Sequence, residues 1–383
     1  MTLGTRARRS ILLGTGVLAI VVAVLVGLAL RDTGSPTPGA TSGGEVARVD
    51  DADPSASFLK TYVDPDGRVV RRDQGDDTVS EGQAYGMLVA AGSGDRDAFD
   101  RIWTWTQQNV LRPDGLIAWR WADGAVADDS SASDADLDAA HALVAAGREF
   151  DEPRWTADGV AMGQAVLDVE TKDSAIGRVM TAGSWDQTAP YSLNPSYTSQ
   201  LAIARLDAAR PDPRWDELAA GQRALLDGLD TDLPPDWVKI EDDGRLAPLP
   251  PPATRSNGSR VEFGLDAVRT PIREATACEP QDVTRAADWA PLLVKDPADV
   301  RGTYDLGGSP TVEWQHPVAL AAAASSAAAD GDATAEQALM ERAVELDAEQ
   351  PTYYGSAWVA LTSELLQDDN PLGCDAAGTG GRS

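Results

Sequence analysis

Three short acidic stretches carry the residue types that acid–base chemistry needs. They are Thr78-Val79-Ser80-Glu81-Gly82-Gln83-Ala84-Tyr85-Gly86-Met87, Ser133-Asp134-Ala135-Asp136 and Gly264-Leu265-Asp266-Ala267. A carboxylic acid that keeps its proton, facing a carboxylate that does not, makes a general acid and base. Each stretch opens an apolar helical run, so each carboxyl is expected near a helix amino terminus. Ser80 reads as the N-cap of its helix, with Glu81 in the first turn. The plain alternative is a capped helix whose dipole favours the carboxylate. That same dipole works against a proton on Glu81, so desolvation and repulsion from a neighbour such as Asp134 must outweigh it. Ser133 and Asp136 have the spacing of a capping box, which leaves Asp134 free to point elsewhere. Asp138 reads as solvated. Arg269, one turn beyond Asp266, can orient that carboxylate or form a structural ion pair.

The elements that must position these groups are helices. Phe58, Leu59, Tyr62 and Val63 stripe a short first helix, and the Glu81 helix follows, ending near Gly92-Ser93-Gly94. Further helices are predicted from Asp95, from Ser133 to Phe150, over 154–170, to Ala209 after Asn194-Pro195-Ser196-Tyr197, and over 215–229. The rest span 263–277, 282–293, 315–329, 334–346 and 351–366, with Leu116 to Trp121 as a short extended piece. About twelve helices joined as hairpins, without βαβ alternation or a close repeat, predict one all-α, double-layered toroid. Ala139 to Ala146 and Val318 to Ala329 are apolar enough to be inner helices.

The acidic motifs resemble those of glycoside hydrolase family 8, the inverting β-glycanases. The likeness lies in that family's Ser-Glu-Gly-Gln-x-Tyr-Gly-Met, Ala-Ser/Thr-Asp-x-Asp-Leu and Asp-Ala-x-Arg segments, and it runs from about Phe58 to Leu366. It implies an (α/α)6 barrel, with Glu81 as proton donor, Asp266 as general base, and Asp134 binding the distorted sugar beside the cleaved bond. Inversion requires the acid and base far enough apart to hold a water between them. Ala84, Ser133 and Asp138 depart from the family pattern, and the Pro-rich stretch from Leu246 to Asn257 reads as an extra loop at the cleft edge. Aromatic platforms for sugar faces are sought at Trp119, Trp121, Tyr197 and Tyr354, with Trp105, Trp237 and Tyr353 behind them. Tyr197 and Tyr354 lie in stretches that resemble family motifs. Tyr85 is expected to hold the attacking water or the acid's neighbour, or simply to pack. Arg269 joins the substrate-binding set.

An uncharged run from Ile11 to Leu30 follows Arg6, Arg8 and Arg9, which predicts residues 1–31 as a signal anchor with a cytoplasmic tip. A cleaved signal peptide is the alternative. Residues 32–50 read as a flexible tether, 51–370 as the catalytic domain and 371–383 as a flexible tail. The net charge of −29 disfavours nucleic acid and anionic lipid as main partners and suits a neutral or cationic polymer. Together with the resemblance, which implies an endo-acting, inverting glycoside hydrolase cleaving β-1,4-glucan, the expectation is an extracytoplasmic monomer, with xylan and chitosan as alternative substrates. With 2 Cys and 2 His no Cys/His zinc site is expected, nor any cofactor. Cys278 and Cys374 either pair, clamping the tail, or stay as separate buried thiols. A non-catalytic glycan-binding protein on this scaffold would keep the aromatics and lose a carboxylate. A terpenoid cyclase would need cations around Asp134-Ala135-Asp136.

Overall fold

The computed structural model describes residues 53–250 and 260–374. The apolar run at 11–30, the tether at 32–50 and the stretch 251–257 of the Pro-rich loop lie outside the described residues. No described helix is long and apolar enough to cross a membrane.

In chain order the helices are α1 (Pro54–Tyr62), α2 (Ser80–Gly92), α3 (Arg96–Asn109), α4 (Ser133–Glu149), α5 (Pro153–Ala165), α6 (Gln200–Ala209), α7 (Pro213–Asp227), α8 (Arg269–Ala275), α9 (Pro280–Asp288), the short α10 (Ala290–Leu293), α11 (Pro317–Asp330), α12 (Ala333–Glu349) and α13 (Tyr353–Leu365). Helices α2, α4, α6, α8, α11 and α13 pack in that order, and α13 returns to α2, closing an inner ring. Helices α3, α5, α7, α9, α12 and α1 back them from outside, which makes an (α/α)6 barrel. Composition explains the layering. Helix α11 is buried continuously from Pro317 to Ala327, as an Ala-rich helix with no polar stripe must be. Outer α3 instead buries Phe99, Ile102, Trp103 and Trp105 and leaves its other face to water. Layers approach closely where side chains vanish: a Cβ on Gly159 would lie 2.7 Å from the Ala140 carbonyl oxygen.

Short strands decorate the connections. β1 (Thr78–Val79), β2 (Arg120–Ala122) and β3 (Ala125–Asp128) form one antiparallel sheet, and β1 runs straight into α2. β4 (Thr171–Ser174) pairs with β5 (Gly177–Met180). β6 (Ser192–Leu193), β7 (Trp237–Ile240) and β8 (Leu246–Leu249) form the third sheet, so the start of the Pro-rich stretch is a strand.

The carboxyl-terminal segment closes the end of the barrel where the inner helices finish. Leu372 is fully buried, His141 Nε2 donates to its carbonyl at 3.1 Å, and Arg205 donates to Pro371 O at 2.6 Å. Burial holds His141 down at about 4, so it is neutral. Cys278 and Cys374 form a disulfide, with Cα atoms 5.5 Å apart. Of the two cysteine readings the bonded one is present, and residues 371–374 belong to the body rather than to a flexible tail.

Candidate active site

The amino-terminal ends of the six inner helices meet at one rim, and Arg269 is a hub that ties α8 to α2 and α4 and to Tyr197 before α6. It is the first residue of α8 and 1% exposed. Its Nη1 donates to Asp134 Oδ2 on α4 at 2.9 Å and to the Tyr85 hydroxyl on α2 at 3.2 Å. Nη2 donates to Asp266 Oδ1 at 3.3 Å, and Nε to the Asp266 carbonyl at 3.2 Å. The expected Arg269–Asp266 pair therefore exists and extends to Asp134. Before α6, Tyr197 lies under the guanidinium, 5.2 Å from ring centre to Cζ. On α13, Tyr354 donates to Leu265 O at 2.6 Å, and His316, the residue capping α11, lies 6.2 Å from the Tyr354 ring. Trp237 Nε1 donates to the second Asp266 oxygen at 3.0 Å, so both oxygens carry a donor while the side chain stays 36% exposed.

Glu81 differs from its neighbours. Its carboxyl has no hydrogen-bond partner among the described residues. Burial first, then the charge of Asp134, push it up to about 7 against the pull of Arg269 and Arg71. Asp134 is also raised by burial, opposed by Arg269. Between two such carboxyls the proton is best held by Glu81, which lacks the 2.9 Å ion pair that Asp134 makes. The arrangement thus offers a protonated acid, an oriented carboxylate, and a third carboxylate locked on a buried cation.

Several local expectations are corrected. Val79, not Ser80, occupies the N-cap of α2, with no side-chain cap, and Ser80 Oγ is buried without a partner. The capping box at Ser133 does not form. Ser133 Oγ donates to Thr181 O at 2.5 Å, and Asp136 Oδ1 accepts from Ile117 N at 2.7 Å, so both tie α4 to other segments. Asp138 is buried, not solvated: the two terminal nitrogens of Arg273 each donate to it at 2.8 Å. The Asp138–Arg273 pair sits one turn beneath Asp134–Arg269, and the repeated spacing of four (134/138 and 269/273) was its signal in the sequence. Cations therefore do stand beside the acidic motif, but each is already paired with a carboxylate. The helix expected from Phe263 begins only at Arg269.

The aromatics divide. Trp119 is half-buried beside β1, and Ser80 N donates to its carbonyl at 2.9 Å. Trp121 is no free platform, because Arg68 covers its ring at 4.4 Å and Trp105 meets it edge-on at 5.5 Å. Tyr85 is 1% exposed and packs edge-on against Trp358, its hydroxyl taken by Arg269. Tyr197 forms a wall between Arg269 and Trp237, whose rings meet at 68°, rather than a flat open surface. Two open indoles went unnoticed in the sequence, Trp185 at 49% and Trp314 at 44% exposure. Trp314 lies on Gly302, where a Cβ would come within 1.8 Å of its ring. Rings of Trp314, His316 and Tyr354 follow one another at 6.2 Å intervals toward Asp266.

Behind the rim, Asp136 and Glu170 face each other as a buried carboxyl pair. Asp136 Oδ2 and Glu170 Oε2 find no donor from any other group, and Ser131 Oγ donates to Glu170 Oε1 at 2.5 Å. One proton shared between the two satisfies both oxygens. Burial first pushes Glu170 up to about 8 from 4.5. A carboxyl raised on folding stabilises fully below its unfolded value, and that stabilisation is lost as pH rises through the folded value. Wild-type melting temperature is therefore expected to fall between pH 5 and 8 by a few degrees. Glu170→Gln, which supplies a permanent donor to Asp136, is expected to flatten that slope; an unchanged slope in thermal melts would refute the shared proton.

The family model described as glycosyl hydrolases family 8 matches residues 56–363. A probable endoglucanase from Novacetimonas hansenii is 33% identical over 226 residues, covering 57% of this chain and 64% of that protein. An endoglucanase from Cellulomonas uda is 30% identical over 226 residues, covering 56% of this chain and 60% of that protein. The matches thus span less than two thirds of these relatives. The endo-β-1,4-glucanase CMCax from Acetobacter xylinum superposes with TM-score 0.70 at 28% identity, over 82% of this chain and 96% of that one. The endoglucanase Cel10 from Klebsiella pneumoniae shares the fold with TM-score 0.69, over 82% of this chain and 98% of that one.

Proposed function

Since the chain belongs to glycosyl hydrolase family 8, we propose that it is an endo-acting glycoside hydrolase cleaving β-1,4-glucan with inversion. The observation that carries this reading is the Glu81 carboxyl, unpartnered and raised to about 7, above the Arg269 hub that holds Asp134 and Asp266. Glu81 protonates the glycosidic oxygen. Asp266 takes a proton from the attacking water on the opposite face; Trp237 and Arg269, each donating to one of its oxygens, hold it in one orientation. Asp134, fixed by Arg269, binds the sugar beside the bond. Trp119, Tyr354 and the open indoles of Trp185 and Trp314 offer faces to sugars further along a chain, which supports an internal cut in a long polymer. The endoglucanase names of the relatives favour glucan over xylan or chitosan as substrate. The 11–30 run would tether a monomer outside the cytoplasm.

The test is reducing-end release from soluble β-1,4-glucan, xylan and chitosan, with viscosity followed in parallel. Glucan is expected to lose viscosity well before its reducing ends accumulate, and the first product is expected as the α-anomer by proton NMR. Binding without turnover on all three would leave a glycan-binding protein instead.

A further inference from the structure

We infer that Asp236 is a positioning residue for the Asp266 carboxylate, acting by holding the backbone that carries it. Asp236 immediately precedes β7 and is 5% exposed. Its Oδ1 accepts three backbone N–H bonds from the turns before α8: Gly264 at 3.1 Å, Asp266 at 3.2 Å and Ala267 at 2.8 Å. Its own N–H donates to Glu262 O at 3.0 Å, so residues 262–267 wrap around one carboxyl group. The fit is tight, since a Cβ on Gly264 would lie 2.3 Å from Asp236 Oδ2; only glycine leaves room for it.

Two features make this more than an ordinary cap. Helix α8 has no side-chain cap of its own, its N-cap being Val268, so the amides of the preceding turns depend on Asp236. The next residue, Trp237, donates to Asp266 Oδ2, so residues 236 and 237 fix the backbone and the carboxylate of Asp266 from one rigid strand end. A reacting group misplaced by about 1 Å loses about 10²-fold in rate. Freed from Asp236, residues 264–267 can relax by that much, and the water that Asp266 holds moves with them.

This inference rests on Asp266 being the base, so wild type and Asp266→Asn are assayed beside the new variants on cellopentaose. Asp236→Ala is expected to lower kcat by about 10²-fold with KM within about twofold of wild type. Asp236→Asn, whose amide oxygen still accepts the three N–H bonds, is expected to restore kcat to within about threefold. Should Asp236→Ala fail to fold, Gly264→Ala, whose added methyl would lie 2.3 Å from Asp236 Oδ2, tests the same contact, with a roughly tenfold lower kcat at unchanged KM expected. A folded Asp236→Ala with wild-type kcat overturns the inference, as does a parallel loss in Asp236→Ala and Asp236→Asn with KM rising. If Gly264→Ala is the usable variant, unchanged kcat overturns it. An Asp266→Asn protein as active as wild type defeats the reading of the base instead, and the two failures are distinguishable.

Discussion

Glu81→Gln is expected to lower kcat/KM on soluble β-1,4-glucan by about 10²- to 10⁴-fold, with melting temperature and glycan affinity close to wild type. Glutamine keeps the shape of the side chain and loses only the transferable proton. No hydrogen bond among the described residues is broken, and the repulsion that Asp134 exerts on Glu81 is relieved, so nothing in the fold resists the change. The loss is confined to substrates whose leaving group needs a proton. On an aryl β-cellobioside with an acidic phenol, Glu81→Gln is expected to keep much of its rate. The pH profile carries the same signature. An acid must be protonated to act, so wild-type kcat/KM falls as pH rises through about 7, the value at which burial and Asp134 hold Glu81. The residual activity of Glu81→Gln lacks that alkaline limb. Wild-type turnover of the polymer by a folded Glu81→Gln protein would remove Glu81 from the proposal.

Legibility from sequence depended on how local the information was. The motif around Glu81 is contiguous and opens an apolar run, so its place at a helix start could be read directly. The ring could be read too, because each hairpin is written in its own helical periodicity and alternates Ala-rich with amphipathic segments. What failed was whatever depends on which element comes to lie opposite. Asp138 looked solvated because an isolated Asp on a helix is, yet Arg273 faces it from another helix 135 residues away. Ser80 and Ser133 were assigned local capping bonds by type and spacing, but short strands and loops arrive to take over those ends, as Trp119 and Thr181 do. Asp236 had no chance of being seen. It stands 30 residues from Asp266, beyond a strand and a Pro-rich stretch, in a sequence without any motif. The aromatic residues show the same limit: Trp121 and Tyr85 carry the right chemistry, but packing by Arg68 and Trp358 spends their faces on the core.

Asp266→Asn is expected to reduce kcat on the same polymer by about 10²- to 10⁴-fold while KM stays within about threefold. The side chain is open on one side, and its two donors are Trp237 Nε1 and Arg269 Nη2. Asparagine keeps one oxygen to accept from one of them and loses the charge that draws a proton from water. Folding should hardly suffer, since Arg269 retains its buried ion pair with Asp134. The mechanism separates this variant from Glu81→Gln in two ways. With Glu81 intact, an acidic leaving group gives Asp266→Asn no relief, because the missing step is the attack and not the departure. In the shorter Asp266→Ala, added azide can occupy the place of the water without needing deprotonation, and is expected to raise turnover and yield an α-linked glycosyl azide. That stereochemistry follows from a single displacement with acid and base about 6.5–9.5 Å apart across the bond. A β-linked azide, or a β-anomeric first product from wild type, would mean two successive displacements through a covalent intermediate. Asp266 would then have to be a nucleophile, and the assignment of it as the base would fall.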